Sequence, residues 1–271
     1  MVTTERETLD ISGTPTITVE RAGHVLLIGL NRVEKRNALN PEMTSGIVRA
    51  YTLLDEDDAL RAGVLFGHGD TFTSGIDLPA MAASMAQERP AADTDSISPL
   101  GLGGRPCRKP VVMAVQGRCY TVGIEYILAS DIAVAAENTI FAQLEVARGI
   151  FPLAGANWRM PERVGWGNAM RYLLTADEFG AAEALRIGLV QEVVPVGQQV
   201  ERALAIAERI ASRAPLGVQA TLANARKGLR EGEAVAYAEV GPTRVRLFAT
   251  EDAKEGVRAM VERREPRFEG R

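Results

Sequence analysis

Two glutamates stand where a carboxyl group is costly to keep charged. Glu125 lies in the run Gly-Ile-Glu-Tyr-Ile-Leu, just inside an expected helix, and Glu145 lies in Phe-Ala-Gln-Leu-Glu-Val, directly after an expected strand. A carboxylate among apolar groups loses hydration, so its pKa rises unless a partner holds the charge. A carboxyl group that titrates nearer neutrality suits general acid–base catalysis. Each glutamate taken alone is also compatible with an ordinary salt bridge.

A second kind of chemistry belongs to the backbone. Residues 73–77, Thr-Ser-Gly-Ile-Asp, follow one expected strand; Gln116-Gly117 and then Thr121-Val122-Gly123 follow another and open a helix. Glycine lets the backbone approach a ligand closely, and a helix N-terminus carries unpaired N–H donors and positive dipole. Two such turns facing one pocket could make an oxyanion hole, although two ligand-free tight turns would read the same way. Arg32, Lys35 and Arg36, in the run 32–38, could meet phosphates or form a solvated charged loop.

Other chemistries are poorly served. The two histidines, His24 and His68, are far apart, and Cys107 and Cys119 have neither disulfide nor metal spacing, so no metal site is expected. The thiols read as free cysteines of a reducing, cytoplasmic setting. Gly101-Leu102-Gly103-Gly104 lacks the context of a dinucleotide fingerprint, and no nucleophile elbow is present. A net charge of -4 argues against a nucleic-acid partner. No apolar run is long enough to span a bilayer, and the polar, acidic start does not read as a secretory signal.

The elements that must position these groups are legible in outline. The chain has 271 residues, 46% hydrophobic and 24% charged, which suits one large domain with an ample core. Strands are expected at 16–19 and 24–30, the latter including His24. A helix should follow, capped by Asn40 with Pro41 at its first position, and with Met43, Ile47, Val48, Tyr51 and Leu54 at helical spacing. Further strands are expected at 62–66, 110–116, 131–135, 139–141 and 189–194, with a turn and short helix through Leu128. The stretch 78–109 breaks this rhythm and reads as a partly helical, mobile segment covering a site. After Gly197 the pattern is helix upon helix. Recurring strand-strand-helix units with a helical tail argue for α/β, and against a doubly wound sheet.

Together these pieces resemble the crotonase (enoyl-CoA hydratase/isomerase) superfamily over nearly the whole chain. The run 30–40 is similar to the family's early CoA-contacting motif, and 72–78 and 109–125 to its two oxyanion turns. Ala142-Gln143-Leu144-Glu145, then 149–152, is similar to the segment bearing the second acid. Residues 182–195 and the ending 251–256 with 264–268 resemble later landmarks. The resemblance implies a crotonase-like spiral of repeated strand-strand-helix units, residues 1–196, and a C-terminal helical trimerisation region, residues 197–271. It implies an enoyl-CoA hydratase-like lyase, with double-bond isomerisation, another crotonase reaction or acyl-CoA binding without turnover as alternatives. Glu125 and Glu145 match the two acids, and the N–H groups of Ile76 and Val122 would hold the thioester oxygen. Arg32, Lys35, Arg36, Ala38, Ser74 and Ile76 would contact CoA, which enters as part of the substrate with no other cofactor. A homotrimer, or dimer of trimers, is the implied assembly. One departure is that Thr121-Val122-Gly123 stands where the family is usually glycine-rich. Tyr126, Phe151 and Trp158 look large for an acyl pocket and are expected to pack in the core.

Overall fold

The computed structural model describes residues 5–10, 14–85 and 97–271, and the side chains of all of these except 82–85. Its strands, in chain order, are β1 (Arg6–Thr8), β2 (Ile17–Ala22), β3 (Val25–Leu30), β4 (Ala62–Gly67), β5 (Val111–Val115), β6 (Arg118–Tyr120), β7 (Ile132–Ala136), β8 (Ile140–Ala142), β9 (Phe179–Gly180) and β10 (Glu192–Val194). A seven-stranded sheet has the order β1-β2-β3-β4-β5-β7-β10, and a three-stranded sheet the order β6-β8-β9. The large sheet begins antiparallel and is parallel from β3 to β10.

Helix α1 (Pro41–Glu56) starts as its sequence dictates. The Asn40 side chain accepts from the Met43 N–H at 2.9 Å, and Pro41, at the first helical position, has no N–H to leave unpaired. Met43, Ile47, Tyr51 and Leu54 are buried, and Val48 is half-buried at the stripe's edge.

From here the chain repeats one unit. β4 is followed by a step at Thr73, which bridges Cys119, and then by α2 (Leu78–Met85). β5 is followed by β6 and α3 (Val122–Ala129). β7 is followed by β8, a 3-10 turn at Val146–Arg148, and α4 (Ala156–Val164). Each turn thus contributes to the large sheet, then to the small one, then to a helix. This is the expected spiral of strand-strand-helix units.

The remaining helices are α5 (Trp166–Thr175), α6 (Ala181–Arg186), α7 (Gln199–Ala211), α8 (Pro215–Glu231), α9 (Glu233–Ala238), α10 (Val240–Phe248) and α11 (Glu251–Glu262). Side chains alternate across the pleat, so each strand feeds two cores. Leu26, Ile28, Leu65, Met113 and Val115 pack in one cluster with Met43, Ile47 and Leu54 of α1. Val25, Leu27, Val64, Val112 and Val134 pack in another with Ala203, Leu204 and Ala207 of α7. Burial on both faces explains why β3 reads as a continuous apolar run. The expected division at residue 197 falls just before α7, which closes the second face of the sheet. Helices α8, α9 and α10 have no buried residue.

Three polar clasps hold this arrangement. Buried Asp55, at the end of α1, accepts from Arg105 Nη1 and Arg108 N at 2.6 Å each, and so ties down the return of the 78–109 stretch. Burial alone would raise the Asp55 carboxyl; the bonds from Arg105 and Arg108 outweigh it and hold the group below its ordinary value. Arg226 docks α8 on the core through Asp131 at 2.8 Å and the Cys107 carbonyl at 2.6 Å. Asp252 and Glu255 of α11 bind the final segment, Asp252 accepting from the Glu269 and Gly270 N–H groups and Glu255 from Arg264 and the Arg267 N–H.

Some local expectations shift. His24 lies in the β2–β3 turn, where its Nδ1 pairs with the Ala59 carbonyl at 2.8 Å, and not in the strand. The strand expected at 189–194 begins only at Glu192; Leu189 and Val190 lie in the loop that precedes it and are buried in the core. Within 78–109, α2 accounts for the start, whereas Pro90 and Ser96 fall in 86–96, outside the described residues. β6 occupies what read as a turn, because its pairing depends on β8, twenty residues further on.

Candidate active site

The two backbone turns come together because the small sheet forces them to. Phe72 N donates to Gln116 O at 2.8 Å, Thr73 N to Arg118 O at 3.0 Å, and Tyr120 N to Thr73 O at 3.1 Å. The stretch after β4 is therefore zipped to β6, which leads straight into α3. On its other side the same turn pairs with Leu39: Leu39 N donates to Gly75 O and Asp77 N to Leu39 O, both at 2.9 Å. Those bonds use the groups flanking Ile76 and turn its own N–H away from Leu39. Val122 is the first residue of α3, so its N–H has no intrahelical partner. Neither N–H meets an acceptor among the described residues.

The turns are tightly matched. Gly75 has φ 108, and a Cβ placed on it would lie 2.4 Å from Thr121 Oγ1. Opposite it, Thr121 has φ 49 and ψ -111, a conformation costing a side-chain-bearing residue about 1–3 kcal/mol. Its neighbours over-determine it. Thr121 N donates to Ala142 O at 2.8 Å, and its carbonyl accepts from Ile124 N at 2.9 Å.

Ile76, Thr121, Glu125, Glu145, Arg148 and Phe151 line one small pocket of about 30 Å³. That is room for about one water molecule beside the two carboxyl groups. Glu125 is 2% exposed, and its Oε1 accepts from Ala154 N at 2.7 Å and Ala156 N at 3.2 Å. Burial raises its pKa, while the Ala156 and Ala154 N–H groups and Arg159 partly offset the rise. Glu145 is 9% exposed and is pushed up to about 7, first by burial and also by the charge of Glu125, with Arg148 opposing. With its nitrogen turned to the site, the Gln143 amide donates to the Glu145 oxygens at 3.1 and 3.2 Å. Two coupled carboxyl groups in one pocket cannot both ionise freely near neutral pH. The hydrogen-bonded Glu125 is better placed to carry the charge, and Glu145 the proton.

The basic run 32–38 lies against the first turn. Arg36 O accepts from Ser74 N at 3.0 Å. Arg32 spends its guanidinium on Asp77 at 2.7 Å and the Ala38 carbonyl at 3.0 Å, so it clamps the turn. Lys35 and Arg36 are exposed beside it, and Ala38 and Ser74 are half-buried. Tyr126 is core, as expected. Phe151 and Trp158 are not: they are 61% and 53% exposed, because each sits at the rim of a cavity. Sequence reasoning missed Arg148 and the Ala154 and Ala156 N–H groups. The signal for the latter was Gly155 at the start of α4, the same glycine-then-helix pattern that marked 121–123.

Residues 20–271 match the sequence model of the enoyl-CoA hydratase/isomerase family. The chain belongs to this family. It is 35% identical to an enoyl-CoA hydratase of Mycobacterium tuberculosis, over 95% of this chain and 97% of the relative. It is 34% identical to a crotonyl-CoA hydratase of Syntrophomonas wolfei, over 93% and 97%. The crystal structure of a probable enoyl-CoA hydratase/isomerase from Mycobacterium abscessus superposes with TM-score 0.90 at 50% identity, covering 94% of this chain and 99% of the other. The family likeness thus spans the spiral and the helical tail alike. Among the described residues no three His, Cys, Asp or Glu side chains group as a metal site, and no helix is long and apolar enough to cross a membrane.

Proposed function

We propose that the protein adds water across the C2=C3 bond of a 2-enoyl-CoA thioester. The observation that carries this reading is one pocket lined by two coupled buried carboxyl groups and flanked by two unpaired backbone N–H groups. The Ile76 and Val122 N–H groups receive the thioester oxygen. Water attacks C3, its O–H proton passes to the Glu125 carboxylate, and the π electrons move through C2 onto that oxygen. Each N–H donor aimed at the growing charge contributes about 3 kcal/mol. C2 then takes a proton from Glu145, and the enolate collapses back to the thioester. Proton exchange between the neighbouring carboxyl groups resets the pair.

CoA enters as part of the substrate. In this reading it runs past Ala38 and the Ser74 and Ile76 carbonyls, with exposed Lys35 and Arg36 near its phosphates and Arg32 shaping the turn. Exposed Tyr237, Val245 and Phe248 on α9 and α10 support self-association of the helical tail into a trimer, alone or paired. The buried thiols Cys107 and Cys119 fit a cytoplasmic setting.

The test is a chain-length panel of 2-enoyl-CoA thioesters, followed by loss of conjugated thioester absorbance, with Glu125→Gln alongside. Hydration should fall by about 10²–10⁴-fold in the variant while CoA-thioester binding persists. Double-bond migration without hydration would move the reading to an isomerase. Sedimentation as a monomer at working concentration would remove the trimer from it.

A further inference from the structure

A second cavity, of about 960 Å³, opens at the other end of the helices that carry the active site. The first turn of α3, opened by the Val122 N–H, presents Glu125 to the catalytic pocket, and its last residues, Leu128 and Ala129, line the cavity. Helix α4 makes the same connection: its Ala156 N–H binds Glu125, while Trp158, Arg159 and Arg163 face the cavity. From Val122 to Leu128 is about 9 Å along the helix axis. An acyl chain of several carbons, anchored by its thioester at Val122, covers that distance.

The cavity is lined by the arginines Arg159, Arg163, Arg226 and Arg230 and by two acids, Asp131 and Glu162. Arg226 is spent on Asp131, and Arg163 on the Ser130 carbonyl. Arg159 donates to the Leu100 and Gly101 carbonyls, which do not neutralise it. Arg230 makes no hydrogen bond or ion pair among the described residues. The two guanidinium groups converge on Gly101: a Cβ built there would lie 3.1 Å from Arg159 Nη2 and 3.7 Å from Arg230 Nη2. Burial lowers the Arg159 pKa and the charge of Arg230 lowers it further, while Glu125 and Glu162 oppose the fall only in part. Two like charges held together, one of them half-buried, are stabilised by an anion between them, and the planar guanidinium matches a carboxylate in geometry.

We infer that this cavity receives a carboxylate at the far end of the acyl chain, held between Arg159 and Arg230, so that the preferred substrate is an enoyl-CoA of a dicarboxylic acid. This rests on the hydratase reading above and narrows its substrate class. The test compares two linear 2-enoyl-CoAs of equal length, one ending in a methyl group and one in a carboxylate, with the wild type, Arg230→Gln and Arg230→Lys. Arg230 lies in the last turn of a helix without buried residues, so its replacement spares the core. The wild type should show a KM for the carboxylate substrate lower by about tenfold, the worth of one charge-assisted hydrogen bond. Arg230→Gln should remove that difference, Arg230→Lys should restore part of it, and turnover of the methyl substrate should stay unchanged. Calorimetric binding of the two saturated analogues gives the same comparison without turnover, so failure to hydrate sinks the hydratase reading alone. Equal affinity for the two chains in the wild type, or an equal loss for both in Arg230→Gln, overturns the inference. So does inorganic phosphate that binds in an Arg230-dependent way while the two chains remain undiscriminated, since the cavity then serves a free anion.

Discussion

Glu145→Gln should exchange activity for stability, and the exchange should depend on pH. Glu145 titrates at about 7 in the folded protein, against an ordinary value of 4.5. An acid with a raised folded pKa holds its proton better folded than unfolded. Its contribution is therefore fully present below the unfolded value and is lost as pH rises through the folded one. A shift of that size corresponds to about 3 kcal/mol between pH 4 and pH 8, the greater part of it between pH 5 and pH 8. Glutamine keeps the shape and never ionises. Chemical denaturation at pH 5 and pH 8 should show the wild type losing roughly 2–3 kcal/mol more than the variant across that interval. Enoyl-CoA hydration should fall by about 10²–10⁴-fold in the same variant. In the wild type the protonated fraction of Glu145 drops about tenfold from pH 6 to pH 8, and the rate should fall with it if proton donation limits turnover. Identical pH dependence of stability in the two proteins would refute the raised pKa. Full activity in the variant would refute the role built on it.

The matched turns make a second prediction. Gly75→Ala forces a Cβ against Thr121 Oγ1 and should lower kcat at least tenfold; Thr121→Gly removes both that clash and the φ 49 strain, and should restore part of the loss in the double variant. Asp55→Ala removes the acceptor shared by Arg105 and Arg108, whose side chains water can reach, and should destabilise the fold by about 1–3 kcal/mol, read by the denaturation midpoint. Asp131→Asn weakens the bond to Arg226 and should release α8, seen as faster proteolysis within 215–231 with little change in the sheet's amide exchange.

Much of the site was legible because its chemistry is written in local patterns. Glu125 stood out by its apolar neighbours, and the first residues of α3 by a glycine-bearing turn followed by helical spacing. Asn40 with Pro41 announced α1 through backbone needs that any helix start has. Other features had no local signature. β6 and β9 have three and two residues and are defined by distant partners, β8 for both and Thr73 for β6 as well. Arg32 reads as a phosphate ligand from its neighbours in the chain, yet it pairs with Asp77, 45 residues away. Phe151 and Trp158 read as core by size alone, yet they lie at cavity rims, Phe151 in the loop before α4 and Trp158 in its first turn.

By itself the sequence determined most of the elements, their strand-strand-helix repetition and the family, and it marked the two glutamates, since caps, periodicity and apolar runs act over a few residues. Only the tertiary structure decided that Glu125 and Glu145 share one pocket, because their approach depends on β6 and β8 pairing across the small sheet. It alone placed Thr121 over Gly75, and it alone brought Arg159 to Arg230, 71 positions apart, by docking α8 on the core. Coulomb and steric terms act through space, and sequence spacing records space only within one element.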